Sequence, residues 1–254
     1  MKNFSLITTH YLVRFLRDIK ELILLLTIPI GLMVIYSFIP SQELVAGYNT
    51  QATLTMPVMM IGFQFFSGGT LIGFLYPDIK ESMSWRLRST PQSLFSFVLP
   101  GFFANWLFTI LTSVVVAVFG VVVLNAYVGS LLVLSMVILL SSAIATLVYI
   151  LVFLFVPKLS TANALIYVIG FGHFILSGFM FVPLGDSAFA RFMMSYGTPI
   201  GLGTRAINYT GAFRGFTMGS PLRAGQAWSN IMILAGVAMV LTVITFVVGG
   251  KKKI

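Results

Sequence analysis

The chain has no cysteine, and only 8% of its 254 residues are charged. Without cysteine there is no disulfide, no thiolate metal site and no cysteine nucleophile, and the redox compartment goes unmarked. The six acids are Asp18, Glu21, Glu43, Asp78, Glu81 and Asp186, and the two histidines are His10 and His173. These groups are too few and too scattered for most hydrolytic or metal centres. An ordinary soluble domain is about 25% charged and roughly 45–50% apolar. Here 58% of residues are hydrophobic, 24 Phe and 13 Met among them, and the mean hydropathy is +1.02. That composition excludes a water-soluble fold and describes an integral membrane protein. The net charge of +9 therefore reads as Lys and Arg flanking membrane spans, not as a nucleic-acid surface.

A charge near the bilayer centre costs about 2.5–3.5 kcal/mol on insertion scales, so charge-free intervals mark the spans. Six are expected, at roughly 22–39, 54–76, 99–124, 131–156, 162–183 and 227–249. The third and fourth come from one interval, Ser89 to Pro157, of 69 residues without a charge. It is too long for one helix, and the turn-forming run Asn125-Ala126-Tyr127-Val128-Gly129-Ser130 divides it. No Asp, Glu, Lys or Arg falls inside any of these six intervals.

An even number of spans puts both termini on one side. The loops of that side collect 11 of the 15 basic residues, from Lys2, Arg14, Arg17 and Lys20 through Lys80, Arg86, Arg88 and Lys158 to Lys251–Lys253. Only Arg191, Arg205, Arg214 and Arg223 fall on the other. By the positive-inside rule both termini face the cytoplasm, in a multi-pass protein of the cell membrane. No cleavable leader is expected, because the first apolar run ends without a small-residue cleavage site.

Residues 4–20 read as an amphipathic interfacial helix. Phe4, Ile7, Tyr11, Leu12, Phe15, Leu16 and Ile19 share one face, and His10, Arg14, Arg17 and Lys20 share the other. Cations on such a helix are expected to meet anionic head groups. After the second span comes the most polar stretch, Tyr76 to Pro91. Pro77 can start a helix and Pro91 can stop it, so a short cytoplasmic helix is expected near Asp78 to Arg88, with a solvated turn as the alternative. Between spans five and six, Phe189, Phe192, Met193, Ile200, Leu202 and Ile207 fit short interfacial helices broken at Gly197-Thr198-Pro199.

Catalytic and ion-coupling chemistry has little to work with. His173 is the one histidine within the intervals, and a hydrogen bond between helices is its ordinary use. The only Gly-Lys pair, Gly250-Lys251, is followed by Lys252 where a phosphate-binding loop needs Ser or Thr. ATP hydrolysis by this chain alone is not expected. Gly69 and Gly73 fit small-xxx-small helix packing.

In layout, the chain resembles the membrane subunit of an ABC-2 type exporter, a permease whose ATPase is a separate polypeptide. The resemblance rests on three regions. The basic amphipathic helix runs into the first span at Glu21-Leu22. Lys80-Glu81-Ser82-Met83-Ser84-Trp85-Arg86-Leu87-Arg88-Ser89-Thr90-Pro91 is similar to the family's cytoplasmic coupling segment. Leu176-Ser177-Gly178-Phe179-Met180-Phe181-Val182-Pro183, with Tyr196-Gly197-Thr198-Pro199 and Ala206-Ile207, looks like the end of its fifth span and its external helices.

The resemblance implies a homodimer, or a heterodimer with a sister permease, seated on two cytosolic ATPase subunits that hold ATP and Mg. It implies a coupling element made of Asp78, Glu81, Trp85, Arg86, Arg88 and Pro91. Trp85 would anchor in a groove on the ATPase, Glu81 would pair with a cation there, and Arg86 and Arg88 would meet acids or head groups. The cargo would be amphipathic or lipophilic: a drug, a peptide or a lipid-like molecule. A non-transport scaffold subunit and a secondary transporter are the alternatives.

Overall fold

The computed structural model describes residues 2–40, 47–81, 94–178, 187–210 and 223–251. Among the described residues 89% are helical and none is in a strand, and six helices are long and apolar enough to cross a membrane. They give a multi-pass architecture. Helix α1 (Lys2–Arg17) precedes the first span, α2 (Ile19–Ser37). The next four spans are α3 (Thr50–Lys80), α4 (Leu94–Val122), α5 (Leu131–Phe155) and α6 (Leu159–Leu176). Two shorter helices follow, α7 (Ala188–Phe192, continued by a wide turn over Met193–Gly197) and α8 (Pro199–Thr210). The last span is α9 (Arg223–Lys251).

Asp18 separates α1 from α2. Its backbone is extended, and its carboxylate accepts from the Glu21 N–H at 3.4 Å, so the span starts as a freshly capped helix instead of continuing the amphipathic one. The break between the third and fourth spans covers 123–130 and so includes the expected run 125–130. Asn125 takes φ +53, and Ser130 caps α5 by accepting from the Val133 N–H.

Helix α3 is the axis of the bundle: 83% of its most apolar window is buried, against 17% for α2 and 22% each for α6 and α9. The neighbours α2, α4, α5, α6 and α8 all pack on it. Its middle allows this because Gly62 faces the ring of Phe174 and Gly68 faces the ring of Tyr149, where any side chain would collide. The chain tightens to a 3₁₀ turn between them, over Phe63–Phe66. The small-residue pair read from the sequence behaves otherwise. A Cβ at Gly73 would meet nothing within 4 Å, and one at Gly69 only the Glu21 carboxyl oxygens.

Three expectations are corrected. Pro77 does not mark a fresh start: α3 runs through it as a wide π-type turn over Tyr76–Glu81, which absorbs the missing proline N–H, and the rest of the helix expected near Asp78 to Arg88 lies outside the described residues. Because α2 begins at Ile19 and α3 ends near Lys80, the charges of Glu21, Asp78 and Lys80 lie in the end turns of spanning helices and not outside them. Helix α8 does break from α7 at Thr198-Pro199, but it is not simply interfacial. Ile200, Leu202, Ala206 and Ile207 are buried, and α8 packs on α9, α3 and α5. Gly203 lets it come so close that a Cβ there would stand 2.8 Å from Val137.

Candidate functional site

The face of the bundle that carries α1 gathers polar groups of three helices, α1, α3 and α5, around the last turn of α3. Asp78 lies there. Arg14 of α1 donates from Nη1 to Asp78 Oδ2 at 2.7 Å, and the Tyr11 hydroxyl donates to the same oxygen at 3.1 Å. The Arg14 guanidinium also lies over the Phe74 ring, 4.1 Å from its centroid. Both charged side chains keep about a third of their exposure, 32% and 31%. The ion pair is therefore screened and contributes on the order of 1 kcal/mol, with a similar amount from the ring contact. Burial, reinforced by the Asp78 charge, pushes the Tyr11 phenol well above its ordinary range, so it stays a hydrogen-bond donor.

Two residues further on, Lys80 ties α3 to α5. Its ammonium donates to the carbonyls of Phe153 at 2.5 Å and Val156 at 2.6 Å, and the Tyr76 hydroxyl donates to Val156 at 2.6 Å. The cause is in the sequence of α5. The last carbonyls of a helix lack intrahelical partners, and the Phe153 carbonyl would bond the N–H of residue 157, which is Pro157 and has none. Proline also pushes Val156 out of helical backbone, to ψ 127, and ends the helix there. A cation at that terminus meets both the orphaned oxygens and the negative end of the helix dipole. The rings of Tyr76 and Phe153 flank it at 4.4 and 4.5 Å.

The base of the Tyr76–Pro91 segment is thus clamped between α1 and α5. Of the residues singled out for coupling, Asp78 is in this junction, and Glu81 has only its backbone described, at the end of the π-type turn. Trp85, Arg86, Arg88 and Pro91 lie outside the described residues. On α1 the expected basic face divides. His10, Arg17 and Lys20 are exposed, but Arg14 turns inward to Asp78. The apolar face divides too. Phe15 is wholly buried, with its ring 5.5 Å from Phe74 and 5.7 Å from Phe108, while Leu16 and Ile19 stay exposed.

Below the junction a polar seam runs through the core. The Gln64 amide donates to Ser113 Oγ at 2.8 Å, the Thr109 hydroxyl to Ser67 Oγ at 3.1 Å, and the Asn105 amide to Thr146 Oγ1 at 3.1 Å. Glu21 points into the same interior. Its carboxyl lies beside the hydroxyl and backbone N–H of Thr70, and its buried Oε1 makes no well-formed hydrogen bond. Among the described residues no cation comes within ion-pair distance of it. His173 is used differently from the expectation: its Nδ1–H bonds the Ile169 carbonyl of its own helix at 2.8 Å, and its ring stacks on Phe65 at 4.2 Å.

Sequence reading missed Tyr11, Tyr76, Phe153 and Glu21 as members of these sites. One signal was present: Pro157 directly after an apolar helix announces an unbonded carbonyl one turn back. No protein-family model and no curated protein matches the chain.

Proposed function

We propose that this chain is the permease subunit of an ATP-driven exporter of the ABC-2 type, carrying an amphipathic or lipophilic cargo out across the cell membrane. Two copies, or one copy and a sister permease, sit on two cytosolic ATPase subunits. ATP and Mg are held by the ATPase, and this chain supplies the path and the lever. The observation that carries the reading is the double clamp on the last turn of α3, Arg14 to Asp78 on one side and Lys80 to the α5 terminus on the other. A push on residues 82–91 reaches α1, α3 and α5 together through that turn, as a coupling element requires and a solvated loop does not. The sparsely buried α2 and α6 leave faces for the second permease copy.

The test compares two substitutions in the coupling segment. Anchors at interfaces cost about 2 kcal/mol or more when cut to Ala, and rim charges much less. Trp85→Ala is expected to uncouple hydrolysis from export, or to release the ATPase, while Arg88→Ala has a smaller effect and the amount of inserted permease stays constant. Parental transport and cargo-stimulated hydrolysis in Trp85→Ala would reduce the segment to a solvated turn.

One observation favours secondary transport, namely the Glu21 carboxyl turned into the bundle without a cation beside it among the described residues, since acids at membrane depth mark ion pathways. Under the ATP-driven reading Glu21→Gln leaves export intact and does not lower stability, because it removes an unpaired charge at constant shape. Loss of export in an assembled Glu21→Gln complex, together with block by an uncoupler at constant ATP, would transfer the function to ion coupling.

A further inference from the structure

The polar seam between α3, α4 and α5 holds more acceptors than hydrogens to fill them. Gln64 and Ser67 of α3, Asn105, Thr109 and Ser113 of α4 and Thr146 of α5 make it up, and none is more than 3% exposed. Each hydroxyl has a single hydrogen. Ser67 gives it to the Gln64 carbonyl at 2.8 Å, Ser113 to the Thr109 carbonyl at 2.7 Å and Thr146 to the Ser142 carbonyl at 2.8 Å. Thr109 has two acceptors in reach of its one hydrogen, the Asn105 carbonyl at 2.7 Å and Ser67 Oγ at 3.1 Å. No hydroxyl hydrogen remains for the two amide oxygens. Among the described residues neither Gln64 Oε1 nor Asn105 Oδ1 receives a hydrogen bond, although both are shut off from solvent inside spanning helices. A bare acceptor in such surroundings is costly, so something must donate to it.

The seam itself says what the donor is. It must be small, because the side chains around it already touch across the helices, at 2.8 Å from Gln64 to Ser113 and 3.1 Å from Asn105 to Thr146. It must be neutral, because every group bonded within the seam is uncharged and a bare cation would stand there uncompensated. Water meets both conditions and brings two hydrogens, and buried water typically makes about three bonds to polar groups of this kind. Along α4 the residues Asn105, Thr109 and Ser113 repeat at the spacing of one helix face, so Thr109 and its contact Ser67 lie between the two amides. We propose that the seam is a hydration site inside the membrane-spanning bundle. One water molecule donates to Gln64 Oε1 and another to Asn105 Oδ1, with the oxygens of Ser67 and Thr109 between them as further acceptors. The axis α3 thus meets α4 and α5 partly through water. The proposal stands whether or not the transport reading does.

The test places the isotopically labelled full-length protein in lipid bilayers and follows, by solid-state NMR, magnetisation that starts on water protons. Leu71 and Ile72 of α3, 0% exposed and apolar, are the buried reference, and Arg17 and Lys20 of α1 are the exposed one. The side-chain amides of Gln64 and Asn105, and the Thr146 side chain bonded to Asn105, are expected to receive magnetisation as early as the exposed reference. Asn105→Leu deletes one acceptor and is expected to delay Thr146 to the pace of Leu71. If that variant fails to fold, Gln64→Met decides in the same way, read at Ser113. Three results would overturn the proposal. In the first, both amides of the parent protein rise as slowly as Leu71, and the acceptors are dry. In the second, early transfer to Thr146 or Ser113 survives the substitution of its amide partner, and the water is not held by the amide oxygen. In the third, early transfer is present in sodium buffer and lost when choline replaces sodium, and the occupant is a cation that carries its own shell.

Discussion

Replacing Lys80 with Met removes the ammonium that closes the α5 terminus and keeps most of the side-chain volume between the rings of Tyr76 and Phe153. The Val156 carbonyl keeps the Tyr76 hydroxyl, but the Phe153 carbonyl is left bare, because Pro157 has no N–H to offer. A hydrogen bond to a charged group contributes about 1.5–3 kcal/mol net, and an orphaned buried acceptor costs about 1–3 kcal/mol. The loss expected for Lys80→Met is about 3 kcal/mol. Lys158, exposed and making no side-chain cap at the start of α6, is the control; its substitution by Met is expected to stay within about 0.5 kcal/mol. The assay is unfolding of the purified protein in mixed micelles, followed by helical circular dichroism as the fraction of denaturing detergent rises. Pro157→Ala tests the cause, since an alanine there restores an N–H and lets α5 run on by one residue. In the Lys80→Met background it is expected to recover about 1 kcal/mol, the net value of an ordinary hydrogen bond. A loss near zero for Lys80→Met, or no recovery in the double variant, would refute the assignment of Lys80 as the partner of an orphaned carbonyl.

Three further substitutions test the same structure. The folded state holds the Tyr11 proton more tightly than the ordinary phenol value of 10.0, so this contribution is complete below about pH 10 and is lost as the pH rises beyond it. Tyr11→Phe should flatten the alkaline fall in stability relative to the parent, measured by the same unfolding assay at rising pH. A Cβ at Gly170 would come 2.7 Å from the ring of Phe66, which is 4% exposed and boxed in by Phe63, Phe171 and Phe174. Gly170→Ala is expected to cost about 1–3 kcal/mol. Gly73→Ala, with nothing within 4 Å, should be neutral or gain up to about 1 kcal/mol from helix propensity.

Local signals carried most of the architecture. Six spans, the turn at 125–130 and the break before Pro199 were legible because a charge in hydrocarbon, a run of turn formers and a proline each act on their own neighbourhood. Where end-turn side chains point was not legible. Arg14 and Asp78 are 64 residues apart and Lys80 and Phe153 are 73 apart. On the helical wheel Arg14 sits at the border of the apolar face, where periodicity assigns it to solvent as readily as to a partner. Glu21 looked like a boundary residue because charge marked the boundary. In the structure the helix starts at Ile19 and turns that carboxyl inward. Helix α8 looked interfacial from its mixed composition. Its burial rests on Gly203 admitting Ile61 and Val137, a contact between distant segments that no local pattern encodes.

The central claim, that the chain is the membrane half of an ATP-driven exporter, is tested most directly by purifying it under mild detergent from its own cells through a tag on the chain. The mass of the particle and its ATP hydrolysis are then measured together. A complex of two membrane chains and two nucleotide-binding chains, hydrolysing ATP faster in the presence of cargo, is the result expected. A particle that contains no nucleotide-binding chain and does not hydrolyse ATP, recovered from membranes in which the protein is fully inserted, would contradict the claim.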